Sequence, residues 1–392
     1  MKLYFINPHS HHSYFSCLAL SRSAPVRILC PPLALQLLDR QWRTDGLQLR
    51  APSLISWPAD LLAIAVFLLF KLNLCSETFY IRLFILASWL LLKLERGDQL
   101  VYHYQDYLLP ILRRPCARRR FVCELIIEPI PGEQNSAGSL QAAQQAIKVF
   151  LPTRMMQAAL YRAGIPTFLA PYGGDKQIYR RSSLSKTTLL PKAITKKSEV
   201  SIYIPHLRIA ARANSLRKGL DFLLLALVDL DQRLSAIHTE SVLMAIEIHI
   251  CGAISEPILL QQFNDLAIKL RLSGRIALSY RQFPPDAYLE LLHNSDLFVM
   301  PSRKEGSSLA ALEALYIGIP CLLSKACGVE VFISGKHGWN VDPLTADVLA
   351  DQLFSILQSP ECLDSWSARL VQDKSLFSWD GYLQVVGESV EP

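Results

Sequence analysis

Residues 299–320 read V-M-P-S-R-K-E-G-S-S-L-A-A-L-E-A-L-Y-I-G-I-P, and residues 328–343 continue G-V-E-V-F-I-S-G-K-H-G-W-N-V-D-P. An apolar run ends at Met300, a polar turn carries Glu305 and Gly306, and a helical pattern opens near Ser307. This is the strand–turn–helix step of a βα-repeating domain. The unpaired N–H groups of such a helix start, reinforced by the helix dipole, bind phosphate without help from a metal. Gly306 lets the backbone come close to a ligand, and Ser307 and Ser308 offer caps or hydroxyl donors. Glu313 stands roughly 9 Å further along the helix axis. It is the only charged side chain between Gly306 and Ser324. A carboxylate on so apolar a helix needs a partner or water. Vicinal ribose hydroxyls provide such a partner; a structural ion pair is the alternative.

The same alternation extends in both directions. In the first half, Lys2 to Ile6, Arg27 to Cys30, Gln99 to Tyr104, Phe121 to Ile127 and Ile147 to Leu151 read as strands, with helices over Ser139 to Ala146 and Thr153 to Ala163. Gly164 and Pro166 close the latter helix. A basic, hydroxyl-rich stretch over 181–198 has no apolar period and reads as a linker. A second series begins at Val200 to Ile204. It continues with helix Gly219 to Leu230, strand Ile246 to Cys251, helix Leu259 to Leu272, strand Arg275 to Leu278, helix Asp286 to Asn294 and strand Leu297 to Met300. The fold class expected is α/β, with two doubly wound, Rossmann-like domains facing each other across a cleft. The expected divisions are 1–180, the linker 181–198, 199–375, and a C-terminal helix over 376–392 returning toward the first domain.

Composition narrows the function classes. The chain has 392 residues, 51% hydrophobic and 19% charged, enough for two domains with their own cores. Its nine cysteines are scattered and include no CxxC pair, which predicts buried thiols in a reducing cytoplasmic setting and argues against zinc. The apolar runs Leu61 to Phe70 and Leu83 to Leu92 span ten residues each. A membrane-crossing helix needs ~20. They read as core helices or as segments lying in a membrane surface. The opening residues turn polar too soon for a signal peptide. Residues 1–120 hold 15 Lys or Arg against 7 Asp or Glu, with five arginines between Arg113 and Arg120. Such a patch suits an anionic membrane surface or a phosphorylated acceptor, or is a solvated loop. No aromatic-interleaved basic motif accompanies it, so nucleic acid is not an expected partner.

Glu305, seven residues and Glu313, between Pro301-Ser302 and Ala314-Leu315-x-x-Gly318-x-Pro320, resemble the signature of the glycosyltransferase group 1 family (family 4, GT-B fold). Four further landmarks fall in the family's order: Pro171 to Asp175, Arg217-Lys218-Gly219-Leu220, Ile250-Cys251-Gly252, and Ser378-Trp379-Asp380. The resemblance implies that Glu305 touches the donor sugar and Glu313 the ribose. It also implies that the N–H groups of Gly306, Ser307, Ser308 and Leu309 hold the diphosphate, that Lys218 offsets charge on the leaving group, and that Gly252 borders the donor pocket. It further implies a retaining, front-face transfer from a nucleotide-diphosphate sugar with no metal or other cofactor. The acceptor expected is a saccharide or lipid-linked saccharide of cell-envelope or exopolysaccharide synthesis, reached from the cytoplasm or the inner membrane face.

Two departures from the family pattern stand out. Pro205-His206-Leu207 occupies the place of the family's glycine and arginine, so the phosphate-binding cation is His206, Arg208, Arg212 or Arg217. The first-domain glycine-rich loop is replaced by Pro8-His9-Ser10-His11-His12-Ser13. His103 and Glu128 end first-domain strands, where side chains line the cleft of such folds, and are candidates to bind the donor sugar or accept a proton; a simple hydrogen bond or salt bridge is the alternative for each. A nucleotide-sugar-binding protein without transferase activity and a nucleotide-sugar epimerase are the alternatives to transfer.

Overall fold

The computed structural model describes residues 2–5, 26–29, 57–72, 74–75, 79, 83, 99–104, 121–125, 143–144, 146, 148–174, 207–237, 246–283 and 285–388. The chain forms two compact units: Met1–Tyr172 with Trp379–Pro392, and Gly173–Ser378.

The first unit carries a parallel sheet of β1 (Lys2–Phe5), β2 (Val26–Leu29), β3 (Gln99–Tyr104), β4 (Phe121–Leu125), β5 (Lys148–Leu151) and β6 (Phe168–Leu169), in the order β2-β1-β3-β4-β5-β6. Helix α1 (Trp57–Lys71) covers the first apolar run, with Ala63 and Val66 buried and Leu61, Leu68 and Leu72 exposed. Helix α2 (Arg154–Tyr161) starts where Thr153 accepts from the Met156 N–H, which satisfies one of the otherwise unpaired N–H groups of its first turn. Tyr172, Trp379 and Tyr382 form an aromatic cluster with ring centroids 5.1–5.9 Å apart.

The second unit is built on β7 (Leu207–Ala211), β8 (Ile246–Cys251), β9 (Ile276–Arg281), β10 (Leu297–Met300), β11 (Cys321–Ser324) and β12 (Gly338–Val341), all parallel, in the order β12-β11-β10-β7-β8-β9. Renumbered within the unit, this is the 3-2-1-4-5-6 order of a doubly wound dinucleotide-binding sheet. Helices α3 (Leu220–Ile237), α4 (Pro257–Ser273), α5 (Pro285–His293), α6 (Leu309–Tyr316), α7 (Ala346–Gln358) and α8 (Glu361–Gln372) connect and cover the strands, and α9 (Asp380–Glu388) follows in the first unit. Every residue of β10 and β11 is buried, as expected of central parallel strands covered on both faces. Leu223, Leu227 and Leu230 of α3 join Leu349, Leu353 and Ile356 of α7 in the same core.

The structure shows one strand that the sequence did not announce. The segment that pairs with β8 and β10 is Leu207–Ala211, with Leu207 opposite Ile246 and Ile209 opposite Leu297; the expected Val200 to Ile204 lies outside the described residues. Ala210 and Ala211 are weak strand formers, but central packing favours them here, where both are fully buried between two neighbouring strands. The first division falls at 172/173 rather than 180, because the Gly174 N–H donates to Phe377 O at 2.6 Å and the Gly174 backbone pairs with Ser378. The linker 181–198 and residues 84–92 of the second apolar run lie outside the described residues.

Candidate active site

The order of the second sheet reverses direction between β7 and β10. In open α/β sheets, ligands bind in the crevice outside the carboxyl ends of strands at such a point. Two loops leave these strands side by side: 212–219 after β7 and 301–308 after β10. Their backbones are laced together. The Arg212 N–H donates to Val299 O and the Arg303 N–H to Arg217 O, both at 2.9 Å. Gly219 has φ +74°, and a Cβ there would lie 2.0 Å from Pro301 O, so no other residue lets the loops approach this closely.

Side chains add a clamp. The Arg303 guanidinium forms a forked ion pair with Asp221 in the first turn of α3, donates to Leu216 O, and stacks 4.0 Å from the centroid of Phe222. Lysine reproduces neither the fork nor the stacking. Arg303→Ala is therefore expected to lower turnover ~10-fold, with Arg303→Lys recovering only part of the loss; the kcat of both variants checks this.

Between the loops lies a compact charge cluster. Arg217 Nη1 bonds Glu305 Oε1 at 2.7 Å and Lys304 O at 2.9 Å; Lys218 Nζ is 3.5 Å and Ser302 Oγ 3.4 Å from the same Glu305 oxygen. The Glu305 N–H donates to Ala326 O at 3.0 Å, which fixes the turn. Burial lowers the Lys218 pKa, with Arg212 and Arg217 adding to the effect and Glu305 opposing it. Arg212 donates to Cys251 O at 3.1 Å, and the end of β7 at Ala211 puts it at the start of the loop that follows. Of the four cations considered for the family's arginine, Arg212 is the one that follows β7 directly. Arg208 lies within β7, where it pairs with Glu247 at 3.4 Å. His206 lies outside the described residues.

Helix α6 begins at Ser308, whose hydroxyl accepts from the Ala311 N–H and lies 3.0 Å from Met300 Sδ. The Ser308 N–H donates to Cys327 O at 3.0 Å, so it is not a free diphosphate donor as expected; the close packing of the 325–327 turn uses it. The N–H groups of Gly306, Ser307 and Leu309 have no partner among the described residues. Glu313 is half-buried. Desolvation pushes its pKa up to about 7 against the pull of Arg212, and its carboxylate has no hydrogen-bond partner among the described residues.

Gly252, with φ +120°, ends β8 where a Cβ would lie 2.7 Å from Asn214 Nδ2. Asn214 donates to Ala253 O at 2.8 Å, tying this turn to the loop after β7. His103 belongs to β3 but its side chain lies outside the described residues, as does Glu128. The chain's one Asp-x-Asp pattern, Asp229-Leu230-Asp231, lies far along α3, with Asp229 paired to Arg233 and Asp231 to Arg275, away from both loops. The Arg303 clamp and the Asn214 tie went unread in the sequence. Arg303 sits two residues before Glu305, but nothing local marks a partner 82 residues away.

The family described as "Glycosyl transferases group 1" matches residues 205–370. D-inositol 3-phosphate glycosyltransferase of Corynebacterium efficiens is 28% identical over 132 residues, 33% of this chain and 31% of that protein. N-acetyl-alpha-D-glucosaminyl L-malate synthase of Bacillus anthracis is 32% identical over 98 residues, 25% of each chain. The matched stretch thus spans about a third or less of these relatives' length. The crystal structure of Anabaena HepE in complex with UDP-glucose superposes with a TM-score of 0.63 at 15% identity, covering 99% of this chain and 98% of that one. The fold is therefore GT-B, and residues 205–370 are similar to the group 1 glycosyltransferases.

Proposed function

We propose that the protein is a retaining hexosyltransferase that moves a sugar from a nucleotide diphosphate to a saccharide or lipid-linked acceptor. The observation that carries this reading is the anion-ready arrangement around Glu305. Arg217 and Lys218 converge on one carboxylate oxygen, beside the unpaired N–H groups that open α6. A diphosphate fits the same donors. The HepE complex with UDP-glucose supports a UDP-sugar as donor. In the transfer, the bond between sugar C1 and the β-phosphate oxygen breaks and the acceptor oxygen bonds to C1 on the same face. The acceptor proton passes to the departing phosphate. Lys218 and Arg212 stabilise the charge that grows on that phosphate, the role a divalent ion plays elsewhere. Among the described residues, no group of three or more His, Cys, Asp or Glu could hold a metal.

Glu313 accepts from the ribose hydroxyls and Glu305 contacts the donor sugar. The acceptor belongs to cell-envelope or exopolysaccharide synthesis on the cytoplasmic side. The basic balance of residues 1–120 and the exposed leucines of α1 support peripheral attachment to anionic lipid. Among the described residues, no helix is long and apolar enough to cross a membrane.

The test is turnover of UDP-, GDP- and ADP-sugars across saccharide and lipid-linked acceptors, with and without EDTA. The expected result is acceptor-dependent release of nucleoside diphosphate, unaffected by EDTA, with the anomeric configuration kept. Nucleotide binding without turnover would identify a binding protein instead. A changed sugar released without transfer would identify an epimerase.

A further inference from the structure

Tyr288 occupies the fourth position of α5, which starts just beyond the carboxyl end of β9. It therefore stands on the same edge of the sheet as the loops that carry Arg212 and Glu305. Its hydroxyl oxygen is buried and has no hydrogen-bond partner among the described residues. The ionisable groups acting on that hydroxyl come from separate elements: Glu313 on α6, Cys251 at the end of β8, Cys321 in β11, and Arg212 in the loop after β7. Burial, with Glu313 adding to it, holds the phenol well above its ordinary pKa, so it stays a neutral O–H able to donate. A buried hydroxyl without a partner is costly, and proteins seldom keep one unless something else completes it.

We propose that Tyr288 is a specificity residue that donates a hydrogen bond to one hydroxyl of the donor's ribose while Glu313 accepts from the diol. The inference rests on the nucleotide-sugar reading above and deepens it. The chemistry is complementary. A carboxylate only accepts, so a ribose hydroxyl that donates to Glu313 keeps oxygen lone pairs free for the phenol. Removing that ribose hydroxyl leaves the phenol unpaired. A site built this way therefore discriminates against a deoxyribose nucleotide far better than an apolar pocket does.

Calorimetric binding of UDP, 2′-deoxy-UDP and 3′-deoxy-UDP to the full-length protein and to Tyr288→Phe tests this. Phenylalanine removes only the orphan hydroxyl, so the variant is expected to fold with an unchanged or slightly higher Tm. The variant should bind UDP ~10-fold more weakly while binding one of the two deoxy analogues as the wild type does, so that its preference for ribose over that sugar falls ~10-fold. Equal weakening of all three ligands would mean that Tyr288 only packs the site, and unchanged affinities would mean that it touches no ligand; either result overturns the inference alone. A wild-type protein that binds none of the three overturns the nucleotide-sugar reading itself.

Discussion

Replacing Glu305 with alanine is expected to lower sugar transfer ~10²–10³-fold while leaving the affinity for UDP unchanged or several-fold higher. The two effects separate because Glu305 has two relationships with the same cations. In the ligand-free chain it neutralises Arg217 at 2.7 Å and Lys218 at 3.5 Å. On the proposed reading a donor diphosphate needs those cations, so its binding competes with an anion already in place. Alanine removes that competitor. It also deprives the half-buried Lys218 ammonium of the group that opposes its desolvation, which makes the site hungrier for an external anion. On the proposed reading, what alanine cannot replace is a contact to the sugar as positive charge builds at C1, and turnover reports that loss. Glu305→Gln keeps the side chain's shape and discards only its charge, so it should share the gain in UDP affinity. Steady-state kcat beside calorimetric UDP binding makes the comparison. A parallel fall in both would mean that Glu305 merely shapes the 301–308 turn.

The part of this cluster that could be read from sequence is the part whose logic is local. The β10–turn–α6 step compresses a buried strand, a close-approach glycine, a serine cap and a carboxylate into residues 297–316, so spacing alone marked the strand, turn and helix start, while the roles expected of Glu305 and Glu313 came from the family resemblance. Strand register was harder. The β-branched and aromatic run Ser201 to Ile204 reads as a strand, whereas Leu207-Arg208-Ile209-Ala210-Ala211 does not announce itself, yet it pairs on both sides, a central position that suits its small side chains. That strand makes Arg212 the first residue of the loop after β7. Long-range partners were not legible at all. The N–H of Ser308 looks free in a sequence, and only the fold brings Cys327 O to it. Asp221 and Arg303 likewise meet because two βα loops leave adjacent strands, a consequence of sheet order rather than of either residue's neighbours.

Glu313 should show the conflict between stability and binding most directly. Burial lifts its carboxyl from 4.5 to about 7 in the folded chain. A folded pKa above the unfolded one gives stability that is fully present below about pH 4.5 and is lost as pH rises through about 7. Glutamine stays neutral throughout. Glu313→Gln is therefore expected to match the wild type near pH 4 and to gain on it steadily up to about pH 7, with a constant advantage above. The ceiling set by the shift is ~3 kcal/mol; partial exposure reduces it to ~1–2 kcal/mol, or roughly 2–4 °C in the melting of the second unit. Donor binding should move the opposite way. Only the ionised carboxylate accepts strongly from both ribose hydroxyls, so wild-type affinity for UDP-glucose should rise with pH and level off above about 7. In the variant it should be flat and, at about pH 8.5, ~10–100-fold weaker. UDP-glucose is the right probe because its diphosphate, esterified at both ends, does not itself titrate in this range. Melting and binding measured on the same two proteins at about pH 5 and about pH 8.5 decide the matter. A variant no more stable than the wild type at the higher pH would mean that Glu313 is already paired in the free protein, whereas higher stability with undiminished binding would move the ribose away from α6.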